Sequence, residues 1–447
     1  MGNPPPSGMR NSIILFCEIF WKTERYAEQK YIQEQYVPAR YMEKERGMKA
    51  MKKSILAAAG LSVCLALAGC GKKQETEPVP EPVVEKVDET ENKEPEVEQE
   101  APEAQAPPAA QGVPVILERQ KVNGKMQSYL TGQWKDEKVV TRRPIAVMIP
   151  NNSPAMPQYG ISRASIIYEA PVEGRITRLM GVFEDFDGLD RIGPVRSSRD
   201  YFVYVAMGYE AIYCNWGLAV PYVEELINRD SVQNISAAVE GIHNPAQEAF
   251  SRVSRPGYAK EFTGYLFIDG MMKAASRLGY NWNYDKAYVP PFTFAADNAK
   301  AEDNYGSAPG AALIYPGGQS GNKGGYGAYN PYFEYNAQDR LYRRYQNGSA
   351  QTDEMDGSQL AVSNVVFQYC HGEVRDSHDY LAFGVHGEGK AIVFTGGKAI
   401  EGTWKRYNGD ATPAKFYDKS GNEIIFNQGK TWICNIWDEY GEFAEYK

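Results

Sequence analysis

Residues 164–185 read ASIIYEAPVEGRITRLMGVFED, and this stretch decides the fold of the first half of the chain. Two runs of mostly apolar and β-branched residues, Ile166–Ala170 and Ile176–Glu184, are separated by the turn-forming residues PVEG. Such a pattern is typical of two antiparallel strands joined by a short connection. The stretch therefore predicts a β-hairpin, and with it a sheet that is not purely parallel.

The segments around the hairpin alternate between strand and helix patterns. Buried strands are predicted at RPIAVMIPN (143–151) and AIYCNWG (211–217), and helices at 197–208, 220–230 and 269–280. Ser197 or Ser198 is the expected N-cap of the first helix and Asp269 that of the third, since short polar side chains satisfy free N–H groups there. We expect residues 113–285 to form a mixed α/β sandwich domain.

Residues 286–447 are dominated by strand patterns. Half-buried strands are indicated by the alternation in YLAFGV (380–385) and EIIF (423–426), and turns by TGGK, DKSGN and NQGK. We expect a second, mostly antiparallel β domain over these residues. The predicted fold class is therefore α+β, with an N-terminal mixed α/β sandwich followed by a C-terminal β domain.

The front of the chain reads as an export signal. Residues 48–70 contain two adjacent lysines, an apolar run over 55–68 and the ending LAGC, which resembles the lipobox of bacterial lipoproteins. Cys70 is then the residue that receives the lipid. A plain transmembrane anchor is the alternative, but the apolar run is shorter than the roughly 20 residues that a span needs.

The residues on either side of this signal are expected to lie outside any folded domain. Translation is expected to start at Met48 or Met51, so that residues 1–47 are a mis-assigned extension; a genuine amphipathic extension is the alternative. Residues 71–112 are rich in Pro and Glu, and residues 74–112 carry 12 Asp/Glu against 2 Lys. Such a segment buries too little apolar surface to fold. We expect a disordered acidic linker that tethers the folded part to the membrane.

Charge and motifs exclude several functional classes. The chain has 48 Lys/Arg and 57 Asp/Glu, a net charge of −9, without a long basic run in its folded part. Nucleic-acid binding therefore has little electrostatic support. No phosphate loop or dinucleotide fingerprint is present, so no cofactor is expected. The loop CHGEVRDSHDY (370–380) has metal-ligand residue types, but a polar hairpin loop is the favoured interpretation and no metal site is predicted.

Cysteine usage gives no disulfide framework. Beyond Cys70 the chain has only Cys214, Cys370 and Cys434, widely spaced. A bridge between Cys370 and Cys434 is left open.

The candidate site combines acidic residues of the hairpin with nearby arginines. Glu169 and Glu173 flank its turn, with Glu184 further on, and paired carboxylates can hydrolyse glycosidic bonds when about 5–10 Å apart. The cationic residues are Arg175, Arg178, Arg191, Arg196 and Arg199. An internal ion-pair network is favoured over an anion- or glycan-binding site that includes Ser197 at the helix N-terminus. A catalytic dyad is the least favoured, and no catalytic residue is assigned.

RPIAVMIPN (143–151), PQYGISRASIIYEAPVEGRITRLMGVFED (157–185), IGPVRSSRDYF (192–202), EGTWKRY (401–407) and NQGKTWI (427–433) together resemble the YerB-type lipoproteins. This is a two-part family of unknown function, and the resemblance runs from about residue 143 to about residue 435. It implies a lipid-anchored envelope protein with an N-terminal α/β part and a C-terminal β part, and no established reaction. The chain departs from the family at Trp216, where relatives carry a His-x-Gly-Gly-Ser type of turn, and in residues 256–267, which lack histidine.

The resemblance and the residues lead to two functional hypotheses. The first is a non-catalytic lipoprotein, anchored through Cys70 on the extracytoplasmic face of the cell membrane, that binds a wall polymer or an envelope protein. The alternative is a glycan-active hydrolase that uses Glu169 and Glu173. The two differ in whether these carboxylates pair with arginines or line an open groove.

Overall fold

A computed structural model describes residues 112–319 and 324–447. The predicted extension over 1–47, the signal peptide with Cys70 and the linker up to residue 111 lie outside these described residues. Among residues 112–319 and 324–447, no helix has the length and apolar character needed to cross a bilayer.

The first half alternates strands with helices, as its sequence predicts. The strands are β1 (Lys121–Val122), β2 (Lys125–Gln127), β3 (Trp134–Asp136), β4 (Ile145–Pro150), β5 (Ile166–Val172), β6 (Ile176–Phe183), β7 (Arg191–Ile192), β8 (Ile212–Asn215), β9 (Asn234–Ser236), β10 (Phe250–Arg252) and β11 (Gly264–Phe267). The helices are α1 (Glu137–Val140), α2 (Asp200–Gly208), α3 (Val220–Ile227) and α4 (Ile268–Arg277).

The second half is built almost entirely from strands, as predicted. They are β12 (Thr293–Phe294), β13 (Leu313–Tyr315), β14 (Tyr332–Asn336), β15 (Leu341–Gln346), β16 (Ser349–Ala350), β17 (Ala361–Val362), β18 (Asn364–Cys370), β19 (Gly372–Val374), β20 (Leu381–Phe383), β21 (Gly387–Thr395), β22 (Lys398–Arg406), β23 (Lys415–Asp418), β24 (Ile425–Phe426), β25 (Thr431–Trp437) and β26 (Glu445–Tyr446).

A ten-stranded sheet organises the described part of the chain. Its strand order is β23-β22-β21-β18-β25-β5-β6-β4-β8-β9. Strands β5 and β6 form the predicted hairpin, with Ile166 opposite Val182 and Val172 opposite Ile176. The pairs β4–β8, β8–β9, β25–β5 and β18–β25 are parallel, and the others in this sheet are antiparallel. The sheet is therefore mixed, as the hairpin predicts.

The two faces of this sheet carry separate apolar cores. On one face, α2 and α3 pack through residues such as Phe202 and Val223 against Met148 of β4. On the other face lie α4 and a six-stranded sheet in the order β16-β15-β14-β13-β26, with β17 beside β15. Side chains alternate between the faces because successive residues of a strand point in opposite directions. The predicted α/β sandwich followed by a mostly antiparallel β part is confirmed.

Strands from both sides of the predicted domain boundary share the large sheet. Strand β25 of the second half pairs with β5 of the first half, with Thr431 opposite Ile166 and Cys434 opposite Glu169. The described residues fall within one compact unit. The boundary between residues 285 and 286 stays a prediction, and the sheet runs across it without interruption.

The predicted helix caps are wrong. Helix α2 begins at Asp200 after Arg199, whose backbone is extended, and Ser198 bonds its hydroxyl to the Tyr213 hydroxyl at 2.7 Å instead of capping. Helix α4 begins at Ile268 after Phe267, without a side-chain cap. Asp269 thus lies inside the first turn of α4, where a carboxylate still interacts favourably with the helix dipole.

The three described cysteines are free and buried. Cys434 lies opposite Phe367 and Cys370 opposite Trp437 in the β18–β25 pair, so the two cysteines are three residues out of register. That offset is about 10 Å along the strands and places the two side chains on opposite faces of the sheet. A Cys370–Cys434 bridge is incompatible with this fold, since bridged Cα atoms lie within about 7 Å.

Candidate functional site

The candidate site lies where the segment 195–199 crosses the carboxyl ends of strands β4 and β8. The backbone N–H of Arg196 donates to the carbonyl of Met148 in β4, at 2.9 Å. The N–H of Ser198 donates to the carbonyl of Gly217, just after β8, at 2.8 Å. Because both sides of the segment are pinned to the sheet, its side chains are held at the N-terminal end of α2.

Three arginines and one glutamate meet there, and we call Arg178, Arg196, Arg199 and Glu173 the arginine corner. Arg199 Nε donates to Glu173 Oε1 at 2.8 Å and its Nη2 donates to Oε2, while Nη1 donates to the Ser198 carbonyl at 2.6 Å. Burial opposes the charge of Arg199, but the hydrogen bonds to Glu173 outweigh it and raise the pKa of the guanidinium. This two-point pair ties the hairpin turn to the start of α2.

Arg178 brings a second buried guanidinium into the corner from strand β6. Its side chain is only 6% exposed, and Nη1 donates to the carbonyl of Ser197 at 2.8 Å. Among the described residues, no carboxylate forms an ion pair with it. Burial, followed by the neighbouring charges of Arg199 and Arg196, lowers the pKa of Arg178 to about 9. The group still keeps its proton at neutral pH, and the nearby charge of Glu173 offsets only part of the effect of burial and of the two arginines.

Arg196 completes the corner at the surface. Its Nη1 lies 3.3 Å from Glu261 Oε2, and the side chains are 23% and 55% exposed. An ion pair this exposed to water contributes little to stability, so Arg196 can readily exchange Glu261 for another partner. The guanidinium also lies 5.4 Å from the centre of the Phe262 ring. The corner thus presents an accessible cation beside the buried charge of Arg178.

The acidic residue nearest the start of α2 does not neutralise the corner. Asp200 accepts a hydrogen bond of 2.5 Å from Arg375, in the loop between β19 and β20. Arg375 itself lies over the Tyr222 ring, 4.7 Å from its centre. Since Asp200 is already paired, the corner keeps an excess of positive charge at a helix N-terminus, which itself favours anions.

Glu169 lies elsewhere, on the opposite face of the large sheet. It is fully buried and accepts hydrogen bonds from Arg344 Nη2 at 2.9 and 2.8 Å, and from Trp432 Nε1 at 2.8 Å. Asn151 Nδ2 and Thr177 Oγ1 donate to the same carboxylate at 2.9 and 2.7 Å. All of these donors are buried, so Glu169 belongs to the core between the two sheets.

The geometry contradicts a catalytic dyad of Glu169 and Glu173. Four residues of strand separate them, which is about 13 Å at the usual rise per residue, beyond the roughly 5–10 Å of glycosidases. Glu169 has no exposed surface, and each carboxylate is paired with an arginine. Glu169 therefore cannot approach a glycan, and the hydrolase hypothesis loses one of its two residues.

The remaining predicted residues are scattered around the corner. Arg175 is exposed in the hairpin turn after Gly174, which adopts a left-handed conformation with φ of 75°. Ser197 contributes its carbonyl to Arg178 and not a cap. Arg191 pairs with Asp190 at 2.5 Å, away from the corner.

Glu184 lies in a separate buried cluster. Its carboxylate accepts hydrogen bonds from Ser128 at 2.6 and 2.8 Å, Ser165 at 3.0 Å and Lys135 at 2.6 Å. The three predicted glutamates, Glu169, Glu173 and Glu184, therefore lie at three separate places in the fold.

Two arginines of the second half that pair with predicted or nearby acidic residues were not predicted as site residues from the sequence. They are Arg344 and Arg375. Arg344 lies in RLYRRY (340–345), where the period of two places Tyr342 and Arg344 on one face. A charged residue on the same face as a buried tyrosine is the signal that could have revealed it. Arg375 has no such signal, since it lies in a loop.

The predicted polar hairpin loop is found between β19 and β20, which pair antiparallel. Asp376 organises it by accepting hydrogen bonds from the backbone N–H groups of His378 and Tyr380. Within residues 112–319 and 324–447, no group of three or more His, Cys, Asp or Glu side chains is arranged to hold a metal ion.

A second recess lies at the other end of α2. It has a volume of about 430 Å³ and an apolar wall that includes Met207 and Val232. Its lining carries one arginine, Arg143, and the carboxylates of Glu210, Asp230, Asp285 and Asp410. The two described ends of α2 therefore differ in charge, and the arginine corner is the one that suits an anion.

Comparison with known proteins places the chain among relatives of similar architecture. The N-terminal domain of the "Protein of unknown function (DUF3048)" family matches residues 130–281, and its C-terminal domain matches residues 324–433. The chain is 29% identical over 315 residues to "Putative lipoprotein YerB" of Bacillus subtilis (strain 168), over 69% of this chain and 86% of that protein. The crystal structure of YerB from Bacillus subtilis is similar to it with a TM-score of 0.59 and 25% identity, over 72% of this chain and 99% of that chain.

Proposed function

The chain belongs to the DUF3048 family of proteins of unknown function, and from this premise we propose that it is a lipid-anchored, non-catalytic envelope protein that binds an anionic wall polymer. One relative is named "Putative lipoprotein YerB". The LAGC ending with Cys70 supports the same anchoring for this chain. The acidic linker over 71–112 would then hold the folded part away from the membrane surface, because like charges and prolines extend a chain.

The buried charge of Arg178, which has no directly paired carboxylate among the described residues, is the observation that carries the binding proposal. A buried guanidinium without a carboxylate is costly in free energy, and an anion that docks beside it removes part of that cost. Arg196 lies at the surface of the same corner, with an exposed glutamate as its only ion-pair partner among the described residues. The positive end of α2 points to the same place.

Phosphodiester groups are the anions that this corner fits best. Guanidinium groups bind phosphate oxygens through paired hydrogen bonds. A wall polymer with repeated phosphates offers many equivalent sites, so a weak single contact becomes a useful attachment for a tethered protein. An acidic segment of an envelope protein presents similar charges and is the second candidate partner.

A sedimentation assay with purified cell walls tests the proposal. Wild-type protein is expected to bind intact walls and to lose binding when the phosphodiesters are removed with hydrofluoric acid. Arg196→Gln should weaken binding about tenfold, which corresponds to loss of one charged hydrogen bond. Arg163→Gln is the matched control, since Arg163 is 33% exposed and also pairs with a half-exposed carboxylate.

Two outcomes would count against this function. Equal binding to intact and phosphate-free walls would place recognition outside the arginine corner. If Arg196→Gln and Arg163→Gln weaken wall binding equally, the effect comes from the net charge of the protein and not from the arginine corner. Thermal unfolding of each variant should be compared first, so that lost binding is not confused with lost structure.

A further inference from the structure

A small cavity lies in the core beneath α2, between that helix and the large sheet. Its volume is about 10 Å³, which is about the space that one water molecule needs. The wall is formed by Val205 and Tyr209 of the first half and by Gln368 and Arg406 of the second half. Tyr168 of strand β5 also lines it.

Tyr168 brings an unsatisfied polar group to this cavity. The residue is 1% exposed, and its hydroxyl oxygen has no hydrogen-bond partner among the described residues. Burial, together with the nearby thiol of Cys370, raises the pKa of Tyr168 well above its usual value, so the hydroxyl keeps its proton. It can therefore both donate and accept, and buried polar groups in folded proteins are almost always bonded.

The other polar groups of the wall give a guest molecule further partners. Gln368 is 2% exposed and Arg406 is 3% exposed. The Arg406 Nε and Nη2 groups donate to the carbonyls of Thr412 and Tyr204, at 2.7 and 2.5 Å. A buried water typically makes about three hydrogen bonds. The Gln368 amide lies in the same wall as the Tyr168 hydroxyl, whereas the Nε and Nη2 groups of Arg406 are already engaged.

A neighbouring asparagine shows that the polar character continues along the sheet. Asn435 lies opposite Gln368 in the β18–β25 pair, two residues along β25 from Ile433, which lines the cavity. It is fully buried, and neither its Oδ1 nor its Nδ2 has a partner among the described residues. An apolar guest would leave the Tyr168 hydroxyl unsatisfied, and the volume is too small for an organic ligand.

We propose that this cavity is a hydration site that holds one ordered water molecule bonded to the Tyr168 hydroxyl. Tyr168, Gln368 and Arg406 come from β5, β18 and β22, and Val205 and Tyr209 come from α2 and its end. The water therefore joins β5 of the first half to β18 of the second half, beneath the helix. It is an internal structural component, independent of the anion site at the arginine corner.

Oxygen-17 magnetic relaxation dispersion on the full chain tests the proposal, because the method counts water molecules with long residence times. Tyr168→Phe removes the hydroxyl and keeps the ring, and it should lower the count by one relative to the wild type. Tyr417→Phe is the control, since Tyr417 is partly exposed on β23, and its count should not change.

An equal count in wild type and Tyr168→Phe, with native circular dichroism in both, would overturn the proposal. If Tyr168→Phe does not fold, Gln368→Leu takes its place under the same criterion. A crystal structure that resolves solvent supplies the second readout: density for one water within hydrogen-bond distance of the Tyr168 oxygen supports the site, and an empty cavity refutes it.

Discussion

The guanidinium of Arg344 lies 2.8 and 2.9 Å from the two carboxylate oxygens of Glu169, and neither side chain has any exposed surface. Arg344 also packs against the Phe333 and Trp432 rings, 4.6 Å from the centre of each. The pair joins β5 of the ten-stranded sheet to β15 of the six-stranded sheet. A residue of the predicted first domain is thus held by a residue of the second.

Removing one partner of this pair should lower the free energy of unfolding far more than removing both partners. Arg344→Met leaves the Glu169 charge buried, and we expect a loss of about 3–5 kcal/mol in the free energy of unfolding. The double variant Glu169→Gln/Arg344→Met should recover a large part of that loss. Equilibrium unfolding in urea measures both values, and similar losses in single and double variants would contradict the expectation.

Glu173 should act as an internal competitor of an external anion. In Glu173→Gln, Arg199 loses its carboxylate partner, so affinity for phosphate-bearing cell walls should rise about three- to tenfold. Stability should fall by about 1–3 kcal/mol, since the tie between the hairpin turn and α2 is weakened. The hydrolase hypothesis expects instead that this substitution abolishes glycan cleavage. Wall sedimentation and a reducing-sugar assay distinguish the two results.

Arg178 should contribute to binding and should lower stability at neutral pH. Burial and the neighbouring Arg199 and Arg196 lower its folded-state pKa to about 9, so the unfolded chain binds the proton more tightly. The free energy of unfolding therefore increases as pH rises above about 9. Arg178→Met keeps the apolar stem and removes the buried charge, so it should raise the free energy of unfolding at neutral pH by about 1 kcal/mol or more.

The readout for Arg178→Met has two parts. Its thermal stability should lack the wild-type increase between pH 9 and pH 10.5, and its wall binding at pH 7 should be about tenfold weaker. Retained binding would show that the buried charge does not take part in recognition.

His386 should make the protein less stable in mild acid. Its pKa is lowered by burial and by Arg406, although the neighbouring Asp410 opposes the shift. A base with a lowered folded-state pKa binds its proton more tightly when unfolded, so stability is lost as pH falls below about 6.5. His386→Gln should show a smaller decrease in melting temperature between pH 7 and pH 5 than the wild type. An identical decrease would assign the acid sensitivity to other groups.

The three described cysteines should resist modification in the native protein. Burial raises the pKa of Cys214, Cys370 and Cys434, which keeps them as unreactive thiols. Peptides that contain them should be alkylated by iodoacetamide only after denaturation, and without prior reduction. A requirement for a reductant would indicate a disulfide that this register does not allow.

The sequence was sufficient for features that depend on neighbours in the chain. The β5–β6 hairpin follows from the turn residues after Pro171, and the strands of the second half follow from their alternation. The Ser198 cap failed because its hydrogen bond to Tyr213 outweighs a local preference. The Asp269 cap failed because α4 begins one residue earlier, at Ile268.

The pairing of charges could not be predicted, because it depends on contacts between distant segments. Arg344 and Glu169 are 175 residues apart in sequence, and their meeting requires the order of strands in both sheets. Arg199 and Glu173 were both recognised as candidates, but the sequence left open which glutamate the arginine binds. Strand order is a non-local property, and local propensity does not encode it.

Strand β25 lies in the middle of the large sheet, between β18 and β5, yet it is formed by residues close to the end of the chain. Because the chain is synthesised from its N-terminus, β5 is complete long before its neighbour β25 exists. Until then β5 presents an unpaired edge, which invites pairing with other chains. Premature stop codons before residue 431 should therefore yield aggregates and not a shortened functional protein, and quality control of this protein rests on its last few strands.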